Sequence, residues 1–218
     1  MSSAWSDLRS LQPVSRVFGL DRGKGIDRYY IENFLAANAA LIHGRVMEVA
    51  DAGYTRQFGG DRVTQSDVLH ATPGNRKATI VGDLSTGEGL PTDAFDCIIL
   101  TQVLPFILDV RGAVRGCFNA LKPGGSVLMT VPGISQISRY DMDRWGDYWR
   151  FSDLSAKKMF ADVFGEENIA VEVFGNVLIA TAFLQGMAQH EVTREELDHK
   201  DPDYQVIITV RATKGAAK

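Results

Sequence analysis

The amino-acid sequence predicts an α/β protein of one domain, with helices on both faces of a seven-stranded, mostly parallel sheet. Two observations carry this reading. Apolar runs of strand length recur along the chain with helical patterns between them, which is the mark of a parallel sheet covered on both sides. At 218 residues and 45% hydrophobic content the chain can also bury a sizeable core, so a disordered tail protein is excluded.

In order, the strands are expected at residues 45–50, 62–66, 79–82, 95–101, 126–131, 169–174 and 204–212. All but the polar second are largely apolar, as strands buried on both faces should be. Ile31, Phe34, Leu35, Leu41 and Ile42 suggest a helix ahead of the first strand. Val110, Val114, Cys117, Phe118 and Leu121 form a helical stripe ended by Lys122-Pro123-Gly124-Gly125, where proline and glycine turn the chain into the fifth strand. Ala156, Met159, Phe160, Val163 and Phe164 follow the cap candidate Ser155 and stop at Gly165. Residues 177–189 are apolar nearly all round and are assigned as a helix on length, and Thr193 with Glu196 forms a capping box for a short one. The whole chain, 1–218, reads as a single unit. Its first 28 residues, polar and glycine-dotted, form a flexible lead-in or a lid.

Composition removes several function classes. Lys+Arg 23 against Asp+Glu 27 gives a net charge of −4 with no run of five like charges, so the electrostatic footprint of a nucleic-acid binder is missing. Cys97 and Cys117 fall in a strand and a helix without metal-ligand spacing and read as reduced core residues. The longest apolar run, 177–184, is far short of the roughly 20 residues of a membrane span. The opening residues lack the order of a signal peptide, which makes the cytoplasm the default location. The oligomeric state stays open, a homo-oligomer included.

Chemistry concentrates at the strand ends. The first strand ends in Glu48-Val49-Ala50-Asp51-Ala52-Gly53, Asp67 is read as the tip of the second, and Asp83 ends the third as Gly82-Asp83-Leu84. Ligands of open parallel sheets sit outside the carboxyl ends of the strands. There an acid on the second strand can accept from both hydroxyls of a ribose, and one on the third can accept from an exocyclic amine. The G-x-G-x-x-G fingerprint of dinucleotide binders is absent, so a nicotinamide oxidoreductase ranks below a protein whose ligand carries a cationic part.

These pieces resemble the class I S-adenosylmethionine-dependent methyltransferases, specifically the small type-11-like domains associated with bacterial polysaccharide and glycosylation genes. The matching segments are Val46-Met47-Glu48-Val49, Asp67, Gly82-Asp83-Leu84, Phe95-Asp96-Cys97-Ile98-Ile99-Leu100 and Leu121-Lys122-Pro123-Gly124-Gly125. The resemblance covers residues 28–131 and implies a Rossmann-like sandwich whose last strand runs antiparallel. It further implies that Glu48 and the turn from Ala50 to Gly53 hold the methionine end of S-adenosylmethionine. On the same reading Asp67, with Val68 beside it, holds the ribose, and Asp83 with Leu84 the adenine. Thr101 and Gln102 lie near the methyl group, and Tyr30 in the opening segment belongs to the cover. The family usually has glycines where this chain has Ala50, Ala52 and Tyr54, so the turn must take another path or aim the Tyr54 ring into the site. The short links between the first three strands predict stunted helices.

The acceptor side is read from residues 132–151, where Tyr140, Asp143, Arg144, Trp145, Tyr148 and Trp149 are candidate substrate contacts. Aromatic faces stack on sugar C–H groups, and Asp and Arg side chains bond hydroxyls, so a saccharide or other polyhydroxylated small molecule is the expected acceptor. Asp141, Asp147 and His190 are the candidate bases for such an oxygen. His43, His70 and His199 read as surface residues. Asp141 and Asp143 offer hard oxygen ligands for Mg²⁺, although two acids two apart are too common to be specific. The function expected is O-methylation of that acceptor. The alternative is a binding or regulatory module that kept the fold and lost turnover, motivated by the missing glycines.

Overall fold

The computed structural model describes residues 10–215. A single seven-stranded sheet has the order β3-β2-β1-β4-β5-β7-β6, built from β1 (Gly44–Val49), β2 (Val63–His70), β3 (Ile80–Val81), β4 (Phe95–Thr101), β5 (Leu121–Pro132), β6 (Ile169–Phe174) and β7 (Ile207–Thr213). Neighbours from β3 to β5 are parallel, and β7 runs antiparallel to both β5 and β6. The strand order reverses between β1 and β4, which opens a crevice at their carboxyl ends.

Side-chain alternation explains why the central strand is apolar throughout. In β4, Ile98 and Leu100 face one layer of the core with Val114, Cys117 and Phe160, while Cys97 and Ile99 face the other with Ile31, Leu35 and Val46. The first layer holds α2 (Val110–Ala120) and α4 (Asp153–Phe164). The second holds α1 (Ile26–Ala37), beside which α5 (Val177–Gln185) and α6 (Arg194–Asp198) pack through Ile26, Phe183 and Leu197. A further short helix, α3 (Arg139–Met142), lies in the long link after β5. Both cysteines are buried and free, and burial raises both thiols, that of Cys117 to about 12. No helix among the described residues is long and apolar enough to cross a membrane.

Several elements differ from the sequence reading in extent. The second strand continues four residues past Ser66, because Val68 and Leu69 are buried and pair with β1. The fifth strand absorbs the Pro-Gly-Gly segment, whose Gly124 and Gly125 exchange backbone hydrogen bonds with Lys214. The third shrinks to two residues, and the last starts at Ile207 rather than Tyr204. The cap of α4 is Ser152, with Ser155 reciprocating from the third helical position. The helix assigned to 177–189 ends four residues early at Gly186, which takes the left-handed conformation. Between β1 and β2 the crossover is a π turn, Thr55–Gly59, and a 3₁₀ turn, Gly60–Arg62, while β2 reaches β3 and β3 reaches β4 without a helix. The lead-in ends at Gly25, where α1 begins.

Candidate active site

A cavity of about 600 Å³ lies at the carboxyl ends of the parallel strands, within the size range of small-molecule sites. Its floor is Val49 and Ala50 at the end of β1, Leu69 to Ala71 at the end of β2, Gly82 to Leu84 after β3, Thr101 and Gln102 at the end of β4, and Pro132. The lead-in covers it with Arg16, Val17, Phe18 and Leu20, and the link after β5 closes the other side with residues between Ser135 and Arg150. Four non-glycine residues among those described have positive φ, and three of them, Phe18, Ala50 and Gln102, line this cavity. Backbone in that region is strained for a side chain and persists where the surroundings over-determine it, as at functional sites.

The turn after β1 is held from below. The buried Glu48 carboxylate accepts from the Tyr54 N–H (3.2 Å), the Thr55 N–H (2.8 Å) and the Thr55 hydroxyl (2.8 Å), so it secures the turn and does not line the cavity. Burial raises its pKa against those bonds. Ala50 sits at φ 72°, its N–H donating to the Leu69 carbonyl (3.0 Å) and its carbonyl accepting from the Asn75 side chain (2.8 Å). Gly53 donates to the Asp51 carboxylate and lies outside the cavity. The turn takes its own path at Tyr54, whose ring packs on Phe58 and whose hydroxyl accepts from Arg28.

Asp67 is not at a strand tip. It pairs with Met47 in the body of β2, 5% exposed, and its carboxylate accepts from Arg45 (2.7 Å), Thr79 (2.8 Å) and Gln65 (3.1 Å). Neither it nor the buried Val68 lines the cavity. The group at the tip of β2 is His70, whose Nδ1 lies 2.7 Å from the Thr72 carbonyl and whose ring meets the edge of Trp145 at 5.4 Å. His70 was read from sequence as a surface residue. Its place follows from register, since the β2 hydrogen bonds continue three residues beyond Asp67.

Asp83 and Leu84 do line the cavity. Asp83 Oδ1 accepts from the N–H and hydroxyl of Ser85, which leaves Oδ2 without an intramolecular bond among the described residues. The turn they form is pressed against α2, because a Cβ at Gly112 or Gly116 would collide with the carbonyls of Ser85 and Leu84. Two glycines one helical turn apart thus bring the helix backbone onto this edge. On the other side, Gln102 donates its N–H to the Thr130 carbonyl (2.8 Å) and its side-chain amide to the Thr130 hydroxyl (3.2 Å).

Of the acceptor-side candidates, Tyr140, Asp141, Trp145 and Asp147 line the cavity, and Asp143, Arg144, Tyr148 and Trp149 do not. Arg144 lies over the Tyr140 ring, Tyr148 packs on Gly146, and the Trp149 indole N–H donates to the Ile107 carbonyl. Asp147, its side chain 1% exposed, is clamped by Arg150 (2.6 and 3.0 Å) and accepts from the Ser138 N–H (3.0 Å), so it shapes the link rather than offering a free carboxylate. Burial acts to raise its pKa, but Arg150 and the Ser138 N–H outweigh it and hold the carboxyl below its ordinary value. Asp141 accepts from the Ser138 hydroxyl (2.6 Å) through one oxygen. His190 lies in a separate shallow recess with Lys24, Tyr29 and Arg194, and Tyr30 is buried with its hydroxyl on the Leu197 carbonyl, so neither reaches this cavity. Among the described residues no three His, Cys, Asp or Glu side chains are grouped to hold a metal ion.

Arg139, Arg150 and the buried Asp27 also line the cavity, within segments the sequence reading gave to the acceptor side and the cover without naming them as site residues. Asp27 lines the cavity 3.8 Å from Arg28, and burial raises its pKa despite that neighbour.

Comparison with known proteins fixes the family. The profile of a family described as a methyltransferase domain matches residues 11–176. The chain belongs to this methyltransferase family. In fold the methyltransferase is similar to an S-adenosylmethionine-dependent methyltransferase from Mesorhizobium loti, with a TM-score of 0.58, 18% identity, and coverage of 87% of this chain and 100% of that one. It is also similar to a SAM-dependent methyltransferase from Archaeoglobus fulgidus, with a TM-score of 0.56, 12% identity, and coverage of 86% and 94%. A curated relative named "Probable polyketide synthase 10", from Dictyostelium discoideum, is 28% identical over 89 residues, which span 41% of this chain and 4% of that much longer one.

Proposed function

We propose that the methyltransferase takes its methyl group from S-adenosylmethionine and transfers it to an oxygen of a small polyhydroxylated acceptor, a saccharide or a molecule like it. The observation that carries this is one cavity lined both by Asp83 and Leu84 and by Tyr140, Asp141 and Trp145, with the Trp145 ring reaching His70 at the β2 tip. The lining fits the cofactor: Asp83 Oδ2 is available to an exocyclic amine, Leu84 to the face of a ring, and His70 and Ala71 to the ribose between them. The Ala50 turn and Gln102 form the floor at the methionine end. When bound, S-adenosylmethionine supplies a methyl group made electrophilic by a sulfonium.

The protein's task is then alignment, since bringing an acceptor oxygen into line with a methyl donor supplies much of the rate of an in-line displacement. Asp141, anchored by Ser138, accepts the hydrogen bond of the reacting hydroxyl and receives its proton as the oxygen–methyl bond forms and the sulfur–methyl bond breaks. Trp145 and Tyr140 wall the acceptor, and the Asp147–Arg150 clamp fixes the link that carries them. The test is incubation of the protein with S-adenosylmethionine and a panel of neutral, phosphorylated and acidic mono- and disaccharides, read by mass spectrometry. A methylated sugar supports the reading, and its absence beside methylation of nitrogen or carbon acceptors overturns the choice of oxygen.

A second reading, a binding module without turnover, is favoured by one feature: an imidazole, His70, stands at the β2 tip where the family resemblance implies a carboxylate. It requires binding of S-adenosylhomocysteine with no methyl transfer to any acceptor.

A further inference from the structure

The charges in the cavity wall do not cancel where the acceptor would lie. Four arginines and four aspartates line it. Asp147 and Arg150 satisfy one another, Asp27 stands beside Arg28, and Asp83 is held by Ser85. Asp141 takes the Ser138 hydroxyl. A serine hydroxyl carries no charge, so beside the one carboxylate of Asp141 stand two guanidiniums bonded to no carboxylate among the described residues, those of Arg16 and Arg139. Arg16 reaches the side-chain carbonyl of Gln12, Arg139 reaches the sulfur of Met142 at 3.4 Å, and neither meets a carboxylate among the described residues.

These two arginines belong to the two covers of the site, and the covers meet. The side-chain amide of Gln136 donates to the Arg16 carbonyl at 2.8 Å, and Arg139 follows three residues later as the first residue of α3. A planar guanidinium matches the paired oxygens of a phosphate or carboxylate, and its bonds to such anions are among the stronger ones proteins make. Pro105, Phe106 and Ile107, which line the same cavity, are apolar and offer no counter-charge. Both arginines are exposed, so their guanidiniums are open to an anion arriving from solvent. The chain's net charge of −4 does not draw anions by its long-range field, so any capture is local to this pair.

We propose that Arg16 and Arg139 bind an oxyanion carried by the methyl acceptor, a phosphate or a carboxylate, so that the substrate is an anionic small molecule rather than a neutral sugar. This rests on the assignment of the cavity to cofactor and acceptor. The experiment is isothermal titration of the protein with phenyl phosphate, benzoate and neutral phenyl glucoside, with and without saturating S-adenosylhomocysteine, for the wild type and for Arg16→Gln and Arg139→Gln. Both side chains lie at the cavity wall outside the core, and circular dichroism checks that the variants fold.

The expected result is that an anion binds and the glucoside does not. Each substitution should weaken the anion at least about tenfold, the loss of one charge-assisted bond, while the affinity for S-adenosylhomocysteine stays unchanged. Preference for phenyl phosphate assigns a phosphate, and preference for benzoate a carboxylate. Equal anion affinity in wild type and variants overturns the proposal, as does tighter binding of the glucoside. A parallel loss of S-adenosylhomocysteine affinity also overturns it, by giving the arginines to the cofactor's own carboxylate. If S-adenosylhomocysteine does not bind the wild type at all, the cofactor assignment fails, and the titrations without it still decide whether the pair takes an anion.

Discussion

Removing the Asp147 carboxylate should release the acceptor-side link while leaving the rest of the fold intact. In Asp147→Ala three bonds are lost, two from Arg150 and one from the Ser138 N–H. Losing one partner of a buried pair costs 3 to 5 kcal/mol, but Arg150 is partly exposed and can rehydrate, so about 2 to 4 kcal/mol is expected here. Only the link carries this cost, because its remaining ties to the body, such as Tyr148 N–H to the Pro105 carbonyl and Phe151 N–H to that of Pro132, lie outside the clamp. The open population of residues 133–150 should rise by about 30- to 700-fold, taking 1.4 kcal/mol as a factor of ten. Hydrogen exchange of peptides from that segment measures the opening directly, and trypsin should cut after Arg139 and Arg144 far faster than in wild type. Exchange and proteolysis equal to wild type beside a collapse of turnover would refute the clamp and return Asp147 to the chemistry itself.

The same clamp sets a pH dependence. A carboxyl held below its ordinary value contributes stability that is fully present above the unfolded value, near 3.9. That contribution is lost as the pH falls through the folded value. The link should therefore stay closed at neutral pH and open below about pH 4, with Asp147→Asn showing no such step in exchange over that interval.

Three further outcomes are expected. Asp67→Ala should lower stability by about 2 to 4 kcal/mol, by stranding Arg45 and Thr79, with the affinity of the folded protein for S-adenosylhomocysteine unchanged; a marked loss of that affinity would return Asp67 to the ribose. Gly116→Ala must displace the Leu84 carbonyl, so it should cost about 1 to 3 kcal/mol and weaken S-adenosylhomocysteine as the adenine edge shifts; thermal melts and titration check both, and wild-type values in each would remove the close helix approach from the account of the site. Ala50→Gly relieves about 1 to 2 kcal/mol of left-handed strain against about 0.4 to 1 kcal/mol of added unfolded-state freedom, so its melting temperature should match or exceed that of wild type, and a clear fall would show that the methyl group packs usefully.

The fold was legible where one physical signal dominated. The run Cys97 to Leu100 could only be a strand buried on both faces, and the Thr193–Glu196 capping box marked a five-residue helix that periodicity alone would not have found. The short crossovers also followed from counting residues between strands. The site followed the strand ends at Asp83, Leu84, Thr101 and Gln102, which line the cavity just past β3 and at the end of β4. It was misread at Asp67, because the polar stretch before it hid the fact that Val68 and Leu69 keep the strand going and carry His70 to the tip. Asp147 looked like a free acid since its partner, three residues away, gives no sign in sequence of turning back on it. The unmatched charge of Arg16 and Arg139 depends on which aspartates are already taken, and that is settled only when segments 120 residues apart meet at Gln136.

The proposed function requires this cavity to hold S-adenosylmethionine despite an alanine in its turn and an imidazole at the β2 tip. Isothermal titration of the wild-type protein with S-adenosylhomocysteine tests it most directly. A single site with a micromolar dissociation constant, weakened when His70 or Asp83 is replaced by alanine, is the expected result. No heat of binding up to millimolar ligand, from protein shown to be folded, would contradict it.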